Sequence, residues 1–346
     1  FGVLDVATAR WTAFTAQKVS SEIQQNTTFI RLTEYSNESE KRKAWEKALS
    51  AIKQGDKYPI VYETSLEDLS KVPRAPLSYW IPSTIRDLFI KYPPLDRDAA
   101  KRSGILKIAD LKQGLVTGDD HQFMRRFWEV NPDFLGYDKK WVPHAKGGGK
   151  FYAEIDLVVN WENDGKEIIE LVDGKGKQKS RPQNVSFYFR EGLSWEFIVS
   201  TIWLEISILP KDVIFSVASQ GFFPAKSEYR MPLLAWGNST LTAYLFMALD
   251  PLLHCRHIGY MSRLPVAEGI LKSEKLRLVA KEAYDILREW ATGNEISTQF
   301  IKPWILQVLQ GFNPNEKPIT QHPLAQDFKW SDWPSTNEIR CIQGSV

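Results

Sequence analysis

Glu154-Ile155-Asp156-Leu157-Val158-Val159-Asn160-Trp161-Glu162-Asn163-Asp164-Gly165-Lys166-Glu167-Ile168-Ile169-Glu170-Leu171-Val172 decides how the middle of the chain is read. Ile155, Leu157, Val159 and Trp161 alternate onto one face of a strand, and Asp164-Gly165 carries the residues a tight turn needs. Ile168 to Val172 supplies an apolar return, so a hairpin is expected. Around it, from about Leu106 to Pro224, the text reads as strands joined by long loops, punctuated by Gly114, Gly118, Gly147-Gly148-Gly149 and Gly192.

Helices flank this region. Upstream, Thr28-Phe29-Ile30-Arg31-Leu32 alternates like a strand, and Trp45, Ala48, Leu49 and Ile52 recur at helical spacing. Asn37 or Ser39 would cap that helix and Gly55 would end it, before Tyr58 to Tyr62 turns extended again. Pro73, Pro76 and Pro82 exclude a continuing helix, and a short one is expected from Ser83 to Phe89. Downstream, Leu241, Tyr244, Leu245 and Ala248 define a helix stopped by Pro251. Leu276, Val279, Ala283, Ile286 and Trp290 define a longer one closed by Gly293. Val3, Val6, Trp11 and Phe14 suggest extended structure at the start, and the Pro-rich tail from Gly311 reads as irregular, packing by Trp330 and Trp333. The expected class is α+β.

A chain of 346 residues exceeds one typical domain, and 43% hydrophobic with 25% charged residues excludes a disordered, collagen-like or coiled-coil protein. No run approaches a membrane span. Cys255 and Cys341 are too few for a metal framework or a disulfide scaffold, so a cytoplasmic protein is expected. With a net charge of +2, any polyanion must be met by a local patch. Such a patch is available in Gly174-Lys175-Gly176-Lys177-Gln178-Lys179-Ser180-Arg181, four cations without an acid, followed by Gln183 and Asn184, residues able to read base edges.

Other chemistries fare less well. Asp156 on a strand, with Asp173-Gly174-Lys175 after the turn, imitates a Mg²⁺-dependent nuclease, but the second acid and the Lys fall beyond the returning strand rather than within it. His121, His144, His254, His257 and His322 show no metal-ligand spacing, so no metal site is expected. There is no Gly-x-Ser-x-Gly elbow and no phosphate loop.

The run Gln113-Gly114-Leu115-Val116-Thr117-Gly118-Asp119-Asp120-His121-Gln122-Phe123-Met124-Arg125-Arg126-Phe127-Trp128-Glu129-Val130 resembles a Gly-Leu-x-Thr-Gly-Asp-Asn segment and its Trp-Glu-Val sequel in the adenine-specific DNA methyltransferases of BREX phage-defence systems, the PglX-like family. The methyltransferases of DISARM systems and of fused restriction enzymes are similar in style. The resemblance continues in order through Arg74 to Trp80, Trp141 to Gly148, Val158 to Gly165, Arg181 to Asn184, Tyr188 to Trp195 and Arg263 to Val266. Asp120 departs from the family's Asn, and Ile202 to Pro210 departs from its Ser/Gly/Phe-rich text.

The resemblance implies a target-recognition region for duplex DNA, with S-adenosylmethionine as the cofactor of the full-length enzyme. This chain lacks the Gly-rich pocket and the Asn-Pro-Pro-Tyr motif of that chemistry, so no cofactor and no catalytic residue is expected on it. Residues 1–70 would then be the edge of a methyltransferase sheet, 71–270 the recognition domain, and 271–346 a helical segment and tail. The opening at Phe1, without Met, fits a piece of a longer protein. Lys146, Lys150, Lys175, Lys177, Lys179 and Arg181 are expected on phosphates. Gln113, Asn160, Gln183 and Asn184 are expected on bases, with Thr117, Asp119 and Arg125 reaching them through their loop. For Asn160 and Trp161, shaping the turn is an equal alternative. Trp128, Trp141 and Trp195 are expected in the core. The helices at 239–250 and 273–291 would space and dock the module. Besides DNA, the expected partners are the catalytic domain and other defence subunits, with no membrane. A nuclease, or a protein-interaction module that touches no DNA, is the rival reading.

Overall fold

The computed structural model describes residues 26–250 and 255–310. The chain divides into two compact units, residues 1–284 and 285–346. In the first, β1 (Asn26–Ile30), α1 (Glu38–Gln54) and β2 (Val61–Ser65) make a small layer. The strands pair antiparallel, and Ala44, Ala48 and Ile60 form a local core with Ile30 and Leu32 around it. The Asn37 side chain accepts from the Glu40 N–H at 2.9 Å, and Gly55 ends the helix in the left-handed region at φ 77°. Both signals act within one helical turn, which is why the sequence alone locates this helix. Next come α2 (Leu66–Ser70), α3 (Ser83–Arg86) and α4 (Leu88–Lys91).

Eight further strands build two sheets. In chain order they are β3 (Ala109–Lys112), β4 (Met124–Arg126), β5 (Trp141–Ala145), β6 (Leu157–Asn160), β7 (Gly192–Glu196), β8 (Ile206–Leu209), β9 (Ile214–Phe215) and β10 (Ser219–Pro224), with α5 (Asp120–Phe123) before β4 and α6 (Glu162–Ile169) after β6. One sheet runs β3-β10-β7-β8 and the other β4-β6-β5-β9. All their pairings are antiparallel except β5 with β9. The helices α7 (Arg230–Gly237), α8 (Thr240–Leu249), α9 (Ile258–Met261), α10 (Glu268–Leu271) and α11 (Glu274–Ala291) follow. The first sheet shares its core with α7 and α8, where Leu193, Trp195, Ile206 and Phe222 meet Leu233, Trp236, Leu245 and Phe246. The second builds its own from Leu115, Phe123, Val159, Trp161, Ile168 and Phe215. The α+β class is as expected. The stop at Pro251, and everything read before residue 26 or after 310, lies outside the described residues.

The expected hairpin does not form. β6 is the inner strand between β4 and β5, with Met124 opposite Val159 and Trp141 opposite Asn160. Val158 and Val159 are therefore both buried, instead of alternating between core and solvent. Asp164-Gly165 does turn the chain, but Asn163, Asp164 and Gly165 all lie at positive φ and lead into a helical return through Ile169. Gly165 is required there, because an added Cβ would sit 2.5 Å from the Trp161 indole. Only Ile168 of the return is deeply buried, while Ile169 and Val172 face solvent.

The tryptophans separate. Trp195 is fully buried and its Nε1–H donates to the Arg256 carbonyl at 2.7 Å, as a core residue should. Trp141 is half-buried. Trp128 is 50% exposed, held by Phe127 edge-on at 5.1 Å and by the Arg126 guanidinium 5.7 Å away, so its expected place in the core is wrong. It sits on a single turn of 3-10 helix directly beyond β4, where the strand pairing has ended. In the second unit, Trp290 and Trp304 stack at 5.4 Å, and α12 (Trp304–Gln310) follows.

Candidate nucleic-acid interface

The Gly-Leu-Val-Thr-Gly-Asp-Asp segment, residues 114–120, is sewn between two others. On one side the Leu115 N–H donates to the Phe215 carbonyl at 2.9 Å and the Val217 N–H to Leu115 at 3.1 Å. On the other, Val116 and Arg181 exchange both backbone hydrogen bonds, at 3.0 and 2.8 Å. The glycines permit this. A Cβ on Gly114 would lie 2.0 Å from the Phe215 carbonyl oxygen, and Gly118, at φ +80°, brings its backbone against Lys179 and Ser180. The specific loop and the basic loop, some 60 residues apart in sequence, are thus one surface.

Side chains tie the same seam. The Asn184 amide donates to the Gln113 carbonyl at 2.8 Å, and Lys179 approaches Asp119 at 3.9 Å. Asp119 also accepts from the Gln122 N–H at 3.1 Å, capping α5. At its edge lies a cavity of about 310 Å³, lined in part by Thr117, Gly118, Asp120, His144, Lys146 and Ser216. The Thr117 hydroxyl donates to Asp120 Oδ1 at 2.5 Å, and the Lys146 ammonium pairs with Asp120 Oδ2. Burial pushes the Asp120 carboxyl up, but Lys146 and Thr117 outweigh it and hold it below the usual carboxylate range. Beneath them His144 is buried, and its Nδ1–H donates to the Ile214 carbonyl at 3.0 Å. Burial drives that imidazole down to about 4, so it is neutral at physiological pH.

Of the residues nominated from sequence, Gln113, Thr117, Asp119, Lys146, Lys179, Arg181 and Asn184 meet along this seam. Lys175 and Lys177 stand exposed at the tip of the basic loop, whose turn is held by Asp173 Oδ1 accepting the N–H groups of both, at 2.8 and 2.9 Å. Lys150, Arg125 and Asn160 are engaged elsewhere. Lys150 lies over the Trp203 ring at 3.7 Å, and Arg125 donates to the His121 and Met124 carbonyls with Trp141 5.8 Å away. Asn160 is 7% exposed; its amide donates to Glu167 and its oxygen accepts from the Glu162 N–H, both at 3.2 Å, which is the turn-shaping role. Gln183 is half-buried, and its Nε2 meets no acceptor among the described residues. Asp120 was missing from the nominated set, and its departure from the resembled pattern was the signal available to find it.

The nuclease reading finds no support in this geometry. Asp156 is paired with Arg126, Asp173 holds the basic loop, and among the described residues no group of three His, Cys, Asp or Glu is placed to hold a metal. Neither of two cavities lined by the described residues fits S-adenosylmethionine. One, about 740 Å³ beside Asp68 and Arg86, has no glycine in its wall, and the one beside Asp120 has only Gly118, in a loop rather than a strand-to-helix turn. No helix among the described residues is long and apolar enough to cross a membrane.

Comparison with known proteins agrees with the resemblance drawn from the sequence. The chain is 28% identical over 278 residues to the adenine-specific methyltransferase PglX of Lacticaseibacillus casei (strain Zhang), covering 73% of this chain and 22% of that protein. It is 29% identical over 253 residues to the adenine-specific methyltransferase BrxX of Escherichia coli O9:H4 (strain HS), covering 70% and 19%. The chain therefore spans about a fifth of the length of the curated relatives it matches. No family model matches. Among solved structures, the type IIL restriction-modification enzyme MmeI in complex with DNA aligns with a TM-score of 0.34 and 15% identity, over 56% of this chain and 29% of that one. The chain is a relative of the BREX-type, PglX-like adenine-specific methyltransferases.

Proposed function

We propose that this relative of the PglX-like methyltransferases is the part that reads duplex DNA, holding it for adenine-N6 methylation in a bacterial phage-defence or restriction-modification enzyme. The reading rests on one observation above all. The loop at 113–120 and the basic loop at 173–184 are joined backbone to backbone, so the cations of the second lie along one seam with the amide and hydroxyl side chains of the first. Lys175, Lys177, Lys179 and Arg181 are exposed along it and suit phosphates, whose contacts fix register on the duplex. Asn184, Gln113, Thr117 and Asp119 lie beside them and suit base edges. Residues 71–270 form the recognition part. S-adenosylmethionine is held by the remainder of the protein, and no step of methyl transfer is assigned to these residues. The setting is cytoplasmic, and the partners besides DNA are the catalytic part and other defence subunits.

Binding of the 346-residue chain to mixed-sequence duplex across a salt series, with and without Mg²⁺, tests this. Affinity should fall steeply with salt while the DNA stays intact. Absence of binding at low salt would overturn it, as would Mg²⁺-dependent cuts.

A further inference from the structure

Lys146 reads from sequence as a phosphate contact, yet it is not a free cation. Its ammonium is held by Asp120, and one more N–H points at the Met124 sulfur, 3.7 Å away. Asp120 is one of two carboxylates, with Asp119, on a face that also carries Lys179, Arg181 and the exposed loop-tip lysines. Paired with Lys146, the carboxylate can stand beside a polyanion, and there it favours a donor that the nucleic acid itself presents. Its position is well fixed. Thr117 holds Oδ1, α5 carries its backbone, and Lys146 follows directly on β5. The side chains remain open to solvent, 52% for Asp120 and 29% for Lys146.

The pair still has valences to offer. An ammonium has three N–H donors, and each carboxylate oxygen has a lone pair beyond the one in use. A donor and an acceptor therefore stand side by side. Resting on the DNA-recognition reading above, we infer that Asp120 and Lys146 together read one G·C base pair from the major groove. Guanine offers O6 and N7 as adjacent acceptors for Lys146, and the cytosine N4 amino group donates to Asp120. An A·T pair in the same place sets the thymine O4 against the carboxylate, acceptor to acceptor, so the pair rejects as well as selects.

The test is selection of bound duplexes from a pool of random sequence, using the 346-residue chain, Asp120→Asn and Lys146→Gln, with thermal melts to verify folding. The parent chain should enrich a motif holding a position where G·C is preferred over A·T by roughly 5- to 150-fold. Asp120→Asn keeps an oxygen for Thr117 and adds an N–H that can donate to thymine O4, so that position should fall to near parity while the others persist. Lys146→Gln should weaken the same position, and it decides the matter if Asp120→Asn melts early. Unchanged preference in both variants overturns the inference while the recognition reading stands. A parent chain that binds no duplex overturns the recognition reading, and the inference with it.

Discussion

His144 provides the sharpest test of the packing beneath the seam. The imidazole is buried where β5 meets β9, neutral, and donating from Nδ1 to the Ile214 carbonyl. In the folded chain it protonates only near pH 4, against an ordinary value of 6.5. Unfolding therefore takes up a proton between those values, so stability falls as pH drops through 6.5 and levels off below about 4. At 1.36 kcal/mol per pH unit, acidification from neutral to about pH 5 should cost about 2 kcal/mol from this residue alone. Urea unfolding at both pH values, on the parent and on His144→Gln, isolates the effect, since glutamine can still donate to Ile214 and does not titrate. The parent should lose about 2 kcal/mol more than the variant on acidification. Equal losses would refute the argument, because they would mean that His144 is solvated or charged in the folded chain.

Three further outcomes follow from the geometry. Lys177→Ala should leave the melting temperature unchanged, weaken all duplex sequences about equally, and lower the slope of log affinity against log salt by about one unit; an unchanged slope removes Lys177 from the phosphate contacts. Trp195→Ala should cost about 3–5 kcal/mol in urea unfolding, while Trp128→Ala, at an exposed site, should stay within about 0.5 kcal/mol. Gly118→Ala should destabilise by about 1–2 kcal/mol, because its positive φ and its approach to Lys179 and Ser180 both oppose a Cβ; loss of duplex binding should accompany it, checked by titration beside a melt.

Some of this was written locally in the sequence. Asn37, the helical spacing through Ile52 and Gly55 located α1, and the spacing of Leu241, Tyr244, Leu245 and Ala248 located α8. Cap hydrogen bonds and helical periodicity act over three or four residues, so the surrounding text carries them. Ordered blocks of text likewise identified the relatives, because similarity of sequence needs no coordinates. Trp195 met its expectation as a core residue for a related reason: an indole's large apolar area demands cover, and the strand it lies on lies inside a sheet.

Tertiary structure decided what lies between distant residues. The stretch from Glu154 to Val172 reads as a hairpin because its own letters supply a turn and two apolar arms. The strands that actually pair with β6 begin at Met124 and Trp141, and no local signal announces them. Burial on both faces of an inner strand removes the alternation on which the hairpin reading relied. The same holds at the seam: Asp120 and Lys146 are 26 residues apart and Val116 and Arg181 are 65, and each pair meets only because strand pairing and close-approach glycines bring the loops together. A histidine's charge, an acid's partner and a tryptophan's exposure are properties of an environment, and an environment is assembled from parts of the chain that do not adjoin in sequence.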